Sequence, residues 1–280
     1  MHSRSVGSEL QRGNIEVESY DGIERPKGVL PASLHSLPGS PRSGPSVHRP
    51  WRNPVRTYGD GCPAAHALDL VGDRWSLLIV RELLLGPKRF TDLRGGLHGA
   101  SANVISQRLR DLESHGVVSK RRLPPPAASQ VYELTEWGRE LEGVIVQLLR
   151  WGARSAAIPL DAPMGTDALI LAMRSLFMPV AAQGFDAAFE LWLEERPFMA
   201  EILDSQLLLA PGRPEHPHAV IRTDAETLKR LTLGGRSLDV SLHAGRISVQ
   251  GDQAMAERFL GMFRLPEPAA SSRVDGDGAV

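Results

Sequence analysis

The chain has 280 residues, is 42% hydrophobic and carries a formal net charge of −1, which is enough apolar material for two modest cores and too little charge for a bulk nucleic-acid coat. A single cysteine, Cys62, excludes an intramolecular disulfide and with it a small stapled secreted domain. No signal-peptide core opens the sequence, and its most apolar run, LLIVRELLL at 77–85, is too short to span a bilayer and is interrupted by Arg81 and Glu82, so the expectation is a soluble cytoplasmic protein with no membrane partner.

Residues 1–55 hold seven Pro, six Gly and nine Ser without periodicity, the composition of a segment that cannot offset its ordering entropy, and disorder is expected there. From Cys62 the texture changes. CPAAHALDLVG reads as a short helix with Ala65, Leu68 and Val71 on one side, and RWSLLIVRELLLG as a second with Trp75, Leu78, Ile79 and Leu83 at helical spacing, closed by Gly86-Pro87. RFTDLRGGL (89–97) is a brief helical turn with Phe90, Leu93 and Leu97 inward, and Ser101 is a good N-cap for the helix after it. Val117–Ser119 and QVYELT read as two strands joined by a loop forced by Pro124, Pro125 and Pro126, and TEWGRELEGVIVQLLRWGARSA as a long helix with Leu141, Val144, Ile145, Leu148 and Trp151 as its apolar stripe. Three helices followed by a two-stranded wing make a winged helix-turn-helix.

A second apolar-periodic region begins after a linker at 157–163. MGTDALILAMRSLFMPV is helical from Thr166, which can cap it; strand-like runs follow at 185–193, 198–209 and 218–223. DAETLKRLTLGG reads as a helix capped by Asp224, LDVSLHAGRISVQG as a hairpin around Ala244-Gly245, and DQAMAERFLGMF as a last helix capped by Asp252. This half is expected to be α+β with a mainly antiparallel sheet, and the tail from residue 266 to be loose.

The stretch SANVISQRLRDLE carries the chemistry. Ile105, Leu109 and Leu112 recur at helical spacing, which leaves Asn103, Ser106, Gln107 and Arg110 on the opposite face. Amides and arginine have the donor and acceptor geometry that matches base edges in the major groove. From Lys88 to Arg122 there are eight Lys/Arg and three Asp/Glu, an excess of 8 − 3 = +5 in a near-neutral chain. Candidate phosphate contacts are Lys88, Arg89, Arg94, Ser101, Arg108, Lys120, Arg121 and Arg122. Arg108 lies toward the buried edge of its helix and suits a structural or phosphate role better than base reading.

Residues 62–154 resemble the HxlR-type winged helix-turn-helix transcriptional regulators, through Cys62-Pro63, Gly72-Asp73-Arg74-Trp75, Arg89-Phe90, Leu93, ISQRLRDLE and Leu134-Thr135-Glu136-Trp137-Gly138. The resemblance implies binding of double-stranded operator DNA as a homodimer, the first and last helices of the region pairing across a two-fold axis and each recognition helix entering one half-site. Repression is favoured, because simple occlusion needs no polymerase contact. Two departures stand out: the wing tip LPPPAAS is poor in charge, and RGGLHGAS carries extra glycine that points to a looser approach to the recognition helix.

Residues 164–265, through HAVIRTDAETLKRLTLGGRSLDVSLHAGRISVQGDQAMAERFLGMF, resemble the sterol-carrier-protein-2-like fold. The fold class is therefore α+β, a winged helix-turn-helix domain (60–156) followed by a small sterol-carrier-like domain. That resemblance implies a hydrophobic small-molecule effector, with Leu231, Leu233, Phe259 and Phe263 as possible pocket residues; ordinary core packing is the competing reading. Cys62, ahead of a helix N-terminus, is a possible redox sensor or an inert cysteine. It shares a helical face with His66, but two ligands do not make a metal site, so no metal or other cofactor is expected. EHPH at 215–218 reads as a surface loop. No nucleophile elbow, phosphate loop or paired-carboxylate motif appears, so no catalytic residue is assigned and an enzyme is not expected. The alternative is a lipid- or small-molecule-binding protein whose N-terminal half serves for dimerisation.

Overall fold

Proline at the first helical position and a glycine just past the end delimit the opening helix, α1 (Pro63–Val71), whose C-cap is Gly72. The computed structural model describes residues 57–125 and 128–269; the expected disorder of 1–55, the middle of the wing tip and the tail from residue 270 lie outside them. α2 (Ser76–Leu83) starts at Trp75, which is held in the left-handed region at φ 82°. α3 (Phe90–Gly96) leads to Gly99, also left-handed at φ 87°, and then to α4 (Ala102–Ser114), capped by Ser101 Oγ accepting from the Val104 amide. Ile79, Val80, Leu93, Leu97, Ile105, Leu109 and Leu112 close one core between these helices.

β1 (Val118–Arg122) pairs antiparallel with β2 (Gln130–Leu134), and Lys88 adds a bridge to Tyr132 from the other side, so the wing is anchored to the segment just before α3. α5 (Glu136–Gly152) follows at once. The Thr135 hydroxyl caps it by accepting from the Gly138 amide and donates to the Gly116 carbonyl at 2.7 Å. A side chain at position 138 would stand 2.1 Å from the Val117 carbonyl oxygen, so the glycine of LTEWG lets α5 close against the turn after α4. This half is a winged helix-turn-helix.

The second half is built on a five-stranded sheet of order β5-β4-β3-β6-β7, antiparallel throughout except for the central β3–β6 pair. Its strands are β3 (Ala187–Leu193), β4 (Arg196–Leu203), β5 (Gln206–Pro211), β6 (Ala219–Thr223) and β7 (Ile247–Gly251). Strict alternation along β3 and β4 buries Phe189, Leu191, Phe198, Ala200 and Ile202 beneath α6 (Thr166–Leu176), α7 (Ala225–Thr232) and α9 (Gln253–Leu260). Asp224 and Asp252 cap α7 and α9 as their sequences imply.

Three details of this half differ from the sequence reading. The run 198–209 is two strands, turned at Asp204 and Ser205, both with positive φ (50° and 60°). That two-residue hairpin carries no glycine to announce it. LDVSLHAGRISVQG is not a hairpin: Leu238–His243 is a helix, α8, which buries Leu238 and Ser241 at three-residue spacing and leaves Val240 outside, and only the second run is a strand. Thr166 is the first residue of α6 rather than its cap, which is Gly165.

Candidate nucleic-acid interface

α4 is fully anchored on one side and free on the other. Ile105, Leu109 and Leu112 are buried, whereas Asn103, Gln107 and Arg110 are exposed and Ser106 sits half-buried at the margin. The exposed face is preorganised by its own bonds. Arg110 donates to Gln107 Oε1 at 2.6 Å, and Gln107 Nε2 donates to Asp111 at 2.8 Å. These i,i+3 and i,i+4 contacts hold the long side chains side by side on one surface.

The wing supplies the flanking charge. Lys120, Arg121 and Arg122 are exposed on β1. Lys120 pairs with Glu113 at 2.6 Å, which holds its ammonium above the ordinary value, and Arg121 pairs with Glu133 at 3.0 Å. Arg122 Nε donates to the Ala128 carbonyl. Arg89, at the N-cap of α3, and Arg94 within that helix are exposed. Surface pairs of this kind contribute little to stability, so exchanging a carboxylate for a phosphate is inexpensive.

Lys88 requires a correction. Its half-buried ammonium is held between Glu82 (2.5 Å) and Asp167 (2.6 Å), which commits it to two internal carboxylates rather than to a phosphate. Asp167 in turn pairs with Arg196 on β4 (2.6 Å), and Glu82 with Arg81 (2.8 Å). The result is one chain of alternating charge, Arg81–Glu82–Lys88–Asp167–Arg196, in which both carboxylates are 1% exposed. Such a chain survives burial because every charge has an opposite neighbour. Gly96 belongs to it as well: a Cβ there would meet Glu82 Oε2 at 2.3 Å. The second glycine of RGGL therefore makes room for the carboxylate rather than loosening the approach to α4, and Gly99 serves a left-handed turn.

Arg108 is engaged by Asp73 of the turn before α2 and by Asp111 of its own helix (3.3 Å). It ties α4 to the Gly72–Trp75 turn, the structural side of the expectation for it. Sequence spacing pointed to neither this tie nor the buried charge chain, because the partners lie on different elements.

The apolar residues expected in a ligand pocket divide. Phe259 stacks on Phe189 with centroids 4.5 Å apart and meets Phe263 edge-on at 5.3 Å. Those two and Leu231 are packed into the sheet's core, so three of the four are structural. Only Leu233 borders a cavity, of about 350 Å³, and that cavity lies between α2, α5 and α6 rather than inside the sheet half. Cys62 is exposed at the start of α1, where the Ala64 and Ala65 amides hold its thiol below the ordinary value. His66 is exposed one turn on, and among the described residues no third His, Cys, Asp or Glu gathers with them. His218 Nδ1 accepts from the Ala188 amide, so part of EHPH is tied to the central strand β3.

The stripe expected along α5 also divides. Ile145 is buried and Leu141 half-buried, but Val144, Leu148 and Trp151 are exposed, Trp151 at 77%. Leu68 of α1 and Leu78 of α2 are exposed too. Among the described residues, no helix is long and apolar enough to cross a membrane.

A winged helix-turn-helix of this build is a DNA-reader architecture, and comparison with known proteins gives the family. Residues 70–158 match the HxlR-like helix-turn-helix family. The chain is 35% identical over 101 residues to an uncharacterised HTH-type transcriptional regulator of Synechocystis sp., an alignment covering 36% of this chain and 75% of that protein. It is 34% identical over 91 residues to the HTH-type transcriptional regulator YodB of Bacillus subtilis, covering 32% of this chain and 81% of YodB. The solved structure of reduced YodB is similar at 32% identity and a TM-score of 0.31, covering 34% of this chain and 95% of that one. The chain belongs to the HxlR-like helix-turn-helix family.

Proposed function

We propose that this protein is a sequence-specific DNA-binding transcriptional regulator, a repressor, that holds a palindromic operator as a homodimer. The observation that carries the reading is the free face of α4: Asn103, Gln107 and Arg110 are exposed, and Gln107 is bonded to both Arg110 and Asp111, while Ile105, Leu109 and Leu112 on the opposite face are buried. Asn103, Ser106, Gln107 and Arg110 read bases in the major groove. Ser101, Arg89, Arg94, Lys120, Arg121 and Arg122 face phosphates, with Arg108 acting through the position of α4. The exposed apolar residues of α1 and α5 supply the dimer contact. A purely lipid-binding protein would leave the α4 face without a use. Gel-shift titration against DNA from upstream of its own gene, at several salt concentrations, tests this. Affinity should fall with a log–log slope of about −0.9 per phosphate contacted, and failure to bind any genomic fragment overturns it.

The repressor responds to a signal, for which two features of the chain provide a receiver. The sheet half, residues 164–265, is read as sterol-carrier-protein-2-like on its sequence resemblance, a reading that its five-stranded sheet supports, and it brings a hydrophobic effector. The exposed Cys62, with its lowered thiol pKa, is a second receiver, for thiol oxidation. Normal induction by peroxide in Cys62→Ser would remove the cysteine from the scheme.

A further inference from the structure

The cavity between the winged-helix half and the sheet half is almost wholly apolar. Leu77, Leu78, Leu148, Met164, Ala172 and Leu233 are among its walls, and Arg81 is the one charged side chain that lines it. The Arg81 Nε–H is buried and has no acceptor among the described residues, while the same guanidinium donates through Nη2 to Glu82. A buried donor without a partner is costly, and an arginine fork is shaped for a carboxylate.

We propose that this cavity is a binding site for a lipophilic monocarboxylate, a molecule with a hydrocarbon body and one carboxylate head. The body fills the space between α2, α5 and α6, whose volume of about 350 Å³ suits a small ligand. The head meets the free Nε–H of Arg81. The inference deepens the effector reading above by moving the ligand from the interior of the sheet half to its junction with the DNA-reading half. From Arg81 the charge chain runs through Glu82 to Lys88, whose backbone pairs with Tyr132 of the wing, so the site is linked to the wing through these contacts.

The test is calorimetric titration of the purified full-length chain, without DNA, with decanoate and with decanol of the same chain length. Decanoate should bind about tenfold or more tightly than decanol, the scale of one charge-assisted hydrogen bond. Arg81→Gln should erase that difference while keeping decanol binding, which also serves as its check of folding; Arg81→Lys, a point charge without the fork, should retain only part of it. Equal affinity of the unaltered chain for the two compounds overturns carboxylate recognition. Binding of neither overturns the site. Operator binding is measured separately and without decanoate, so failure of the DNA reading and failure of the ligand site are told apart.

Discussion

α4 and α5 are both amphipathic helices of the same half, yet they use their apolar faces differently. α4 buries all three of its apolar anchors in the core of its own chain and leaves a polar face outside. α5 buries Ile145 but leaves Val144, Leu148 and Trp151 in the open. The first helix is complete within one chain, and its outer face is free for a polar partner. The second has more apolar surface than its own chain covers, and isolated chains seldom leave such a patch without a use. What a helix leaves uncovered, rather than what it buries, is therefore the guide to its role.

The comparison can be broken most severely at the charge chain that joins the two halves. Lys88→Met leaves Glu82 and Asp167 buried without their shared cation, and should cost about 3–5 kcal/mol, measured by chemical denaturation. If Lys88 were a phosphate contact, the substitution would weaken DNA binding at unchanged stability. Next comes the anchoring of α4. Leu109→Ala should cost about 2–5 kcal/mol through the cavity it opens, whereas Leu148→Ala, on the uncovered face of α5, should change unfolding by roughly 0.5 kcal/mol or less at concentrations where the chain is monomeric. Leu148→Ala should instead raise the dimer dissociation constant, read by analytical ultracentrifugation, and an unchanged constant would remove α5 from the interface.

A smaller effect sharpens the reading of the α4 face. Arg110→Ala should cost about 1–3 kcal/mol of operator affinity and relax the preference at one base-pair position. Lys120→Ala should weaken all sequences alike and lower the salt slope by about one. The smallest effect lies in the sheet half. Burial pushes the Asp224 carboxyl up, but bonds from Thr227 and neighbouring amides outweigh it and hold the group below its ordinary value. A lowered folded value means the group stabilises the fold above the ordinary aspartate range and that this contribution is lost as pH falls through the lowered value. Asparagine caps about as well as aspartate, so Asp224→Asn should leave neutral stability nearly unchanged and flatten the acid limb of a thermal-melting series against pH.

Local periodicity was enough to place the helices and the wing of the first half, the caps at Ser101, Asp224 and Asp252, and the face of α4 that carries Asn103, Gln107 and Arg110. Those features depend on spacings of two to four residues, and a chain carries such spacings in its own order. The same logic failed where the signal was not local. Leu238, Val240 and Leu242 alternate as a strand would, yet packing made them a helix; Asp204 and Ser205 turn a hairpin without glycine. Only the tertiary structure decided that Lys88 is an internal cation, that Gly96 makes room for Glu82, that Phe259 and Phe263 are core, and that a cavity opens beside Arg81. Each rests on groups that are distant along the chain and meet within a few ångströms, where burial makes an unpaired charge or a misplaced methyl costly. Periodicity records which side of an element faces inward, and it is silent on what waits there.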